Sequence, residues 1–231
     1  MSLADYRNIV VLTGAGISHS AGLPTYRGPG GLWSDPELAA LSDAGALIDR
    51  RAEVCDLFWR FRGALAGIEP TPAHRALAAF EARLPPGARF LIITQNVDGL
   101  HQRAGSRNVC EYHGSLESWR CDVCRTVRVP ADDEPPPACC GERMRPDVVM
   151  FGEMIPLQAE RAAKHALRDC DLFVAIGTSG TVAPASSFVS WARLNAARCV
   201  LLNLEIFEGA RDLYGEQEAG PADELVPRWF A

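Results

Sequence analysis

Four short apolar runs dictate the architecture of this chain. Asn8–Thr13 (NIVVLT), Arg89–Thr94 (RFLIIT), residues 171–177 (DLFVAIG) and residues 199–204 (CVLLNL) are continuously apolar rather than alternating. That is the pattern of strands buried on both faces. Helical periodicity fills the intervals. Val54, Leu57, Phe58, Phe61 and Leu65 recur at three- and four-residue spacing and make one stripe. Residues 75–83, Leu157–Arg168 and 185–197 are further helix candidates. Strands that alternate with helices need crossover connections, which place helices on both faces of a parallel sheet. The predicted fold is therefore α/β: a Rossmann-like, doubly wound parallel sheet with a helical insert and a smaller inserted zinc-binding module. The expected division puts residues 1–35, 68–115 and 146–231 in the sheet domain, 36–67 in the helical insert and 116–145 in the module.

Composition narrows the function classes. An apolar content of 48% over 231 residues supplies a core and excludes a disordered chain. The formal charge of −6 offers no basic footprint, so no direct nucleic-acid binding is expected. A cationic substrate tail would meet no general repulsion. The start MSLADYR lacks a cationic segment leading into an apolar stretch, so no signal peptide is expected. No apolar run approaches the ~18–20 residues that span a bilayer, so no membrane contact is expected. The eight cysteines are accordingly expected in a reducing cytoplasm, as metal ligands, core residues or reactive thiols.

Residues 121–144 break the strand–helix rhythm. They hold two cysteine pairs, the polar run ADDE and three consecutive prolines from Pro135 to Pro137. With too little apolar content for a core, this stretch reads as a module held by a metal. Cys121-Asp122-Val123-Cys124 is a CxxC knuckle, and Cys139 with Cys140 completes four thiolates, the set of a closed structural zinc site. A second CxxC would need cysteine at Pro137. Adjacent cysteines can both ligate only across a sharp backbone turn, and the alternative is a module that has lost its metal. Cys55, Cys110, Cys170 and Cys199 sit in or beside apolar patterns and are expected to be buried. Residues 211–222, rich in Gly and Glu, read as a surface loop before a last short segment.

Two polar clusters follow strand ends. Thr13-Gly14-Ala15-Gly16-Ile17-Ser18 lets the backbone turn tightly and approach a pyrophosphate, with helix amides to receive the charge. The usual fingerprint wants a third glycine where His19 stands, and a ligand-free turn would use the same residues. The following AGLPTYRGPGG is too rich in Gly and Pro to continue a helix. It argues against a hydride-transfer enzyme and for a long loop over a nucleotide. Thr94-Gln95-Asn96-Val97-Asp98-Gly99 puts amides and a carboxylate at the carboxyl end of a strand. They suit a carboxamide and a ribose, although an Asx turn is the commoner use of such residues. His113 is the best general-base candidate, since imidazole titrates near ~6.5. A structural histidine is its plainer reading.

Together these segments resemble the sirtuins, the NAD-dependent protein lysine deacylases. The resemblance runs nearly end to end: GAGIS (14–18), AGLPTYRG (21–28), TQNVDGLH (94–101), HGS (113–115), RPDVVMFGE (145–153), GTSGTVAPA (177–185), NLE (203–205) and GPADELVP (220–227). It implies that Gly14, Ala15, Gly16, Thr25, Tyr26 and Arg27 hold the diphosphate of NAD and cover the nicotinamide ribose. Gln95 and Asn96 would bind that ribose, and Asp98 the carboxamide. Gly177, Thr178, Ser179, Asn203, Glu205 and Ala222 would line the adenosine end. Val149, Phe151 and Glu153 would line the acyl-lysine tunnel and pair with the substrate peptide as an added strand. His113, with Asn96 beside it, would be catalytic. The products implied are nicotinamide, O-acyl-ADP-ribose and free lysine, from acyl-lysine protein substrates. Zinc, with all four positions filled by protein, would take no part in the chemistry.

The run RGPGGLW is similar to the subgroup that includes desuccinylases. That subgroup places a Tyr and an Arg three apart on a helix for an acidic acyl end; Trp59 and Arg62 stand at the matching positions. Arg62 as an ordinary surface arginine is the competing reading. Met150 stands where the family usually has tryptophan. The rival functions are a protein mono-ADP-ribosyltransferase at the same NAD site and a non-catalytic NAD-sensing module.

Overall fold

The structure is a computed structural model. It describes residues 3–25, 31–132 and 134–231, without the side chains of Ala4 and Trp33. In chain order, β1 (Asn8–Thr13) leads through a 3-10 turn (Ala15–Ala21) to α1 (Pro36–Leu41), α2 (Ala46–Asp49), α3 (Arg51–Ala64) and α4 (Pro72–Arg83). Then come β2 (Arg89–Thr94), α5 (Leu100–Arg103), β3 (Val109–Glu111), β4 (Gly114–Arg120), β5 (Val127–Arg128), β6 (Ala138–Cys139), β7 (Glu142–Arg143) and β8 (Arg145–Val148). The chain closes with α6 (Leu157–Arg168), β9 (Leu172–Ile176), α7 (Phe188–Leu194), β10 (Arg198–Asn203), α8 (Ala210–Leu213), β11 (Glu216–Ala219) and α9 (Ala222–Trp229).

The main sheet has the order β11-β10-β9-β1-β2-β3, and every pairing in it is parallel. Successive strand residues face opposite layers, which explains the unbroken apolar runs. Val10, Leu12, Phe173, Ala175 and Leu201 pack with Ala163 and Leu167 of α6 and with Phe188 and Val189 of α7. Ile9, Val11, Val174, Ile176 and Val200 pack on the other face, with Leu77 and Phe80 of α4 and Leu225 and Val226 of α9. Each such side chain contributes roughly 1.5–3 kcal/mol when removed from water.

A third cluster stands apart from the sheet. Leu41, Val54, Leu57 and Phe58 of the helical segment share it with Leu116, Trp119, Met144, Val148 and Met150 around β4 and β8. Neither segment could bury its apolar face alone. Charged contacts fasten the same junction: Arg51 donates to Asp122 at 2.9 Å and to the Arg143 carbonyl, and Arg143 reaches Asp56 at 2.6 Å.

Several elements differ from the sequence pattern. Residues 211–222 are no surface loop: they include β11, the sheet edge beside β10. Glu216–Ala219 has no apolar run because an edge strand needs only backbone pairing, here with an Arg198–Glu216 bridge at 2.5 Å. Helix α4 starts at Pro72, three residues before the predicted 75, because Thr71 and His74 make a capping box with Pro at the first turn. Helix α7 is shorter than residues 185–197, giving way to left-handed Ala196 (φ +59°).

At the switch in strand order, β1 and β9 lie side by side and backbone meets backbone. The Gly16 amide donates to the Gly177 carbonyl at 2.9 Å. A Cβ on Gly16 would lie 2.7 Å from the Gly177 Cα, a separation real side chains do not adopt. Gly16→Ala is expected to destabilise the fold by about 1–3 kcal/mol through this overpacking. Gly63→Ala, in α3 with nothing within 4 Å of the added carbon, should instead stabilise by about 0.4–1 kcal/mol. Urea midpoints of the two variants test the contrast.

Candidate functional site

The switch point becomes a polar floor. Asn96, only 4% exposed, donates from Nδ2 to the Gly14 carbonyl at 3.2 Å and to Ser18 Oγ at 3.1 Å. Ser18 in turn donates to Asp98 Oδ2 at 2.7 Å, and Asp98 Oδ1 caps the Leu100 amide. Gln95 reaches Thr178 Oγ1 at 3.1 Å, and Asn203 Nδ2 reaches the Thr178 carbonyl at 3.2 Å. One continuous network thus joins the ends of β1, β2, β9 and β10. Asn96 Oδ1 is buried with no partner among the described residues. An orphaned acceptor in so well-paired a cluster is a seat for a ligand donor such as a ribose hydroxyl. The Gly14–Gly16 turn lies beside it, packed directly on the Gly177–Thr178 backbone.

Ser179 and Glu205 are exposed beyond this floor, and Ala222 opens α9. The Asn203 carbonyl accepts from Gly220, so the last helix starts beside the strand end that carries Asn203. Thr25 is half-buried and its carbonyl accepts from Leu32 at 2.9 Å. Tyr26 and Arg27 lie outside the described residues.

His113 follows β3 and precedes β4. Its Nδ1 lies 3.0 Å from the Gln95 carbonyl. A carbonyl can only accept, so Nδ1 carries the proton and Nε2 keeps its lone pair for a substrate hydroxyl. Burial lowers the imidazole pKa against the opposing pull of the Gln95 carbonyl, which keeps the base neutral. The His113 carbonyl accepts from Val149 at 2.9 Å, tying the base to residues 149–153. Gly114 has φ +81°, and a Cβ there would lie 1.9 Å from the Asp147 carbonyl oxygen. Only glycine serves after His113.

Residues 149–153 are positioned from beneath. Arg145, 2% exposed, donates to both Glu153 oxygens at 2.5 and 2.9 Å and to the Val148 carbonyl. Burial would raise the Glu153 carboxyl, but Arg145, the Met150 amide and Arg120 outweigh it and hold it low. The Glu153 carboxylate is therefore a brace for the loop. Phe151 is exposed, but its amide donates to Ser42 and its carbonyl accepts from Ala44. Its backbone is already paired with the helical segment.

Sequence reasoning overlooked a layer below the floor. His101 meets Thr13 Oγ1 at 2.9 Å, and its ring stands edge-on to His74 with centroids 4.6 Å apart. Burial drives the pKa of His74 to about 4 and that of His101 well below the ordinary value. His101 was visible within TQNVDGLH, and His74 only as one more residue on a helix. Arg145 and Ser18 also stood in quoted motifs without a role.

Cys121, Cys124, Cys139 and Cys140 bring their sulfurs within 4.8 Å of one another. Cys139 Sγ lies 3.5 Å from Cys124 Sγ and 3.8 Å from Cys140 Sγ. A tetrahedral zinc with bonds of ~2.3 Å needs sulfurs ~3.8 Å apart, so the set fits structural zinc. The required sharp turn exists: Cys140 (φ +52°) and Gly141 (φ +83°) are both left-handed. Trp59 and Arg62 lie away from the polar floor. Trp59 packs edge-on to Trp119 at 5.2 Å, and Arg62 is bonded to Pro130 and Asp132.

Comparison with known proteins supplies the context. The Sir2 family model matches residues 14–184. A protein of Pseudomonas aeruginosa named NAD-dependent protein deacylase 1 is 41% identical, covering 97% of this chain and 94% of its own. NAD-dependent protein deacylase 2 of Pyrobaculum aerophilum is 42% identical, with coverages of 98% and 91%. A solved Sir2 homologue–NAD complex superposes with a TM-score of 0.87 at 32% identity, covering 99% of this chain and 90% of the other.

Two buried histidines, His74 and His101, and the half-buried His113 set a pH dependence. Folded-state values below the unfolded one mean that the unfolded chain binds protons the folded chain refuses. Stability should therefore be full above about pH 6.5 and fall toward pH 4, by up to about 1.4 kcal/mol per pH unit for each histidine. Urea titrations across that range, with His101→Gln flattening the slope, test it. Metal analysis should give one zinc per chain, lost in Cys140→Ser together with a lowered melting temperature.

Proposed function

This chain belongs to the Sir2 family, and from that premise we infer that it is an NAD-dependent protein lysine deacylase, releasing nicotinamide, O-acyl-ADP-ribose and free lysine. The observation that carries the reading is the single network joining Asn96, Asp98 and the Gly14–Gly16 turn, with the His113 Nδ1 held by Gln95 and its Nε2 left to act as base.

Bound NAD would supply an electrophilic ribose carbon and a nicotinamide leaving group. The chain's own residues do the rest. The turn at Gly14, Ala15 and Gly16, with Thr25, Tyr26 and Arg27, receives the diphosphate; the Gly14 and Gly16 amides are themselves paired with the Ile176 and Gly177 carbonyls. Gln95 and Asn96 hold the nicotinamide ribose; the orphaned Asn96 Oδ1 accepts a hydrogen bond from a ribose hydroxyl. Asp98, oriented by Ser18 and the Leu100 amide, fixes the carboxamide. Gly177, Thr178, Ser179, Asn203, Glu205 and Ala222 line the adenosine end. His113 Nε2 accepts a proton from a ribose hydroxyl and so activates it toward the acyl carbon. Val149 and Phe151 wall the lysine tunnel, with Glu153 as a brace beneath them. The buried floor excludes water, which would otherwise compete for the acceptor carbon.

The four thiols hold structural zinc and take no part in group transfer. The helical insert (36–67) and the module (116–145) make one small lobe, a division supported by their shared core. Among the described residues no helix is long and apolar enough to cross a membrane. A reducing compartment such as the cytoplasm suits a four-thiolate metal site.

Purified protein offered NAD and an acetyl-lysine peptide should release nicotinamide and O-acetyl-ADP-ribose, read by mass spectrometry. A protein-bound ADP-ribose adduct in place of the soluble product would favour the transferase. His113→Ala should lower turnover about 10²–10⁴-fold, the usual contribution of a general base, with NAD binding retained by calorimetry. Undiminished turnover in that variant would take His113 out of the reaction.

A further inference from the structure

Two arginines meet on the strands that carry the cysteine module. Arg120 on β4 and Arg145 on β8 are register partners in an antiparallel pair, so their side chains share one face of the small sheet. Like charges in that position repel, and here carboxylates stand between them. Arg145 grips both oxygens of Glu153. Arg120 donates from Nη1 to Asp147 Oδ1 at 2.9 Å and from Nη2 to Glu153 Oε1 at 3.5 Å. Its Nε is buried without a hydrogen-bond partner, and Asp122 Oδ1 stands 3.8 Å from it, as an ion-pair contact only.

Asp122 lies between the knuckle cysteines Cys121 and Cys124, and its other oxygen accepts from Arg51 of α3 at 2.9 Å. Arg125 adds a contact of 3.9 Å to Asp122 from a side chain that is 75% exposed. Arg51, Asp122, Arg120, Glu153 and Arg145 therefore make a line of alternating charge. It runs from the helical insert, across the knuckle, to residues 149–153. Such a network holds its members better than isolated surface pairs do. At its far end Glu153 closes a turn on Met150: its Oε2 accepts from the Met150 amide at 2.9 Å, and its own amide donates to the Met150 carbonyl at 3.0 Å. Where Glu153 is held, the turn is held. Arg145 ties Glu153 to β8, and Arg120 ties it to β4 and the knuckle.

We propose that Arg120 is a positioning residue for the acyl-lysine side of the site, coupling the cysteine knuckle through Asp122 to Glu153 and so fixing the turn of residues 150–153. That role in the reaction rests on the deacylase reading, whereas the coupling is a property of the fold. Acting through Glu153, Arg120 sets the affinity for the acyl-lysine peptide and not the rate of the bound complex.

The test uses the full, zinc-loaded chain. Arg120→Ala should raise KM for an acetyl-lysine peptide roughly fivefold, the scale of coupling within one charged network, with kcat and NAD affinity unchanged. Arg120→Lys, which keeps the charge but loses the fork, should fall between the two. Asp122→Asn should raise the same KM about twofold, and adding it to Arg120→Ala should change nothing further. Zinc content should stay at that of the unaltered chain in every variant. Amide hydrogen exchange should quicken at Met150 and Glu153 in Arg120→Ala and Asp122→Asn, with the Gly16 amide still protected. If Arg120→Ala does not fold, Arg120→Lys and Asp122→Asn carry the same two readouts. A lowered kcat with an unmoved KM, fully additive substitutions, or loss of zinc alongside the rise in KM overturns the positioning role. Unchanged exchange at Met150 and Glu153 overturns the coupling whether or not any peptide is turned over. Failure of the unaltered chain to split NAD with the peptide overturns the deacylase reading, and exchange then decides the coupling by itself.

Discussion

Backbone-to-backbone contact between the Gly14–Gly16 turn and Gly177 governs the rest of the molecule. Parallel strands β1 and β9 run side by side and then diverge, and a gap opens where their chains part. Here two glycine segments close the bottom of that gap, with the Gly16 amide on the Gly177 carbonyl. Side chains would hold the strands apart and remove the shelf on which Asn96 and Ser18 rest. The same absence of Cβ atoms lets Gly177 and Thr178 seat directly against the turn. One steric fact therefore serves both the fold and the site.

Above that shelf, burial sets the chemistry. The polar groups of the floor are nearly all paired with one another, so each is held in one orientation. The acceptor left over, Asn96 Oδ1, faces a buried space where an unmatched oxygen is costly. His113 obeys the same rule from the rim. The Gln95 carbonyl fixes its tautomer, burial lowers its pKa, and a neutral ring results, with its lone pair free. Below lie His74 and His101, buried and neutral, where charged side chains would disturb Asp98.

The small lobe solves a different problem. Neither the helices of residues 36–67 nor the cysteine-bearing segment has enough apolar surface to fold alone. Trp119, Met144 and Met150 meet Val54, Leu57 and Phe58 in a common core. Arginines from α3 cross the seam to Asp122 and Asp132. The zinc ligands stiffen one end of this core and the residues that follow Val148 form the other. The cysteine module thereby shares a core with Val148 and Met150, at the start of the loop that Glu153 braces.

The sequence by itself determined the doubly wound sheet, since a strand buried on both faces must be apolar throughout; β1 and β2 lie at their predicted bounds. It also determined which residues gather at the strand ends, because Gly, Asn and Asp after an apolar run have few other uses, and the motif order singled out one family. Edge strand β11 was illegible, because backbone pairing leaves no mark on side-chain pattern. The adjacency of Cys139 and Cys140 left metal binding open until the left-handed turn supplied the angle. Only the tertiary structure decided the use of Arg62 and Glu153. A charge on a helix or loop carries no sign of its partner, and here the partners, Asp132 and Arg145, come from separate segments that packing alone brings within hydrogen-bond reach.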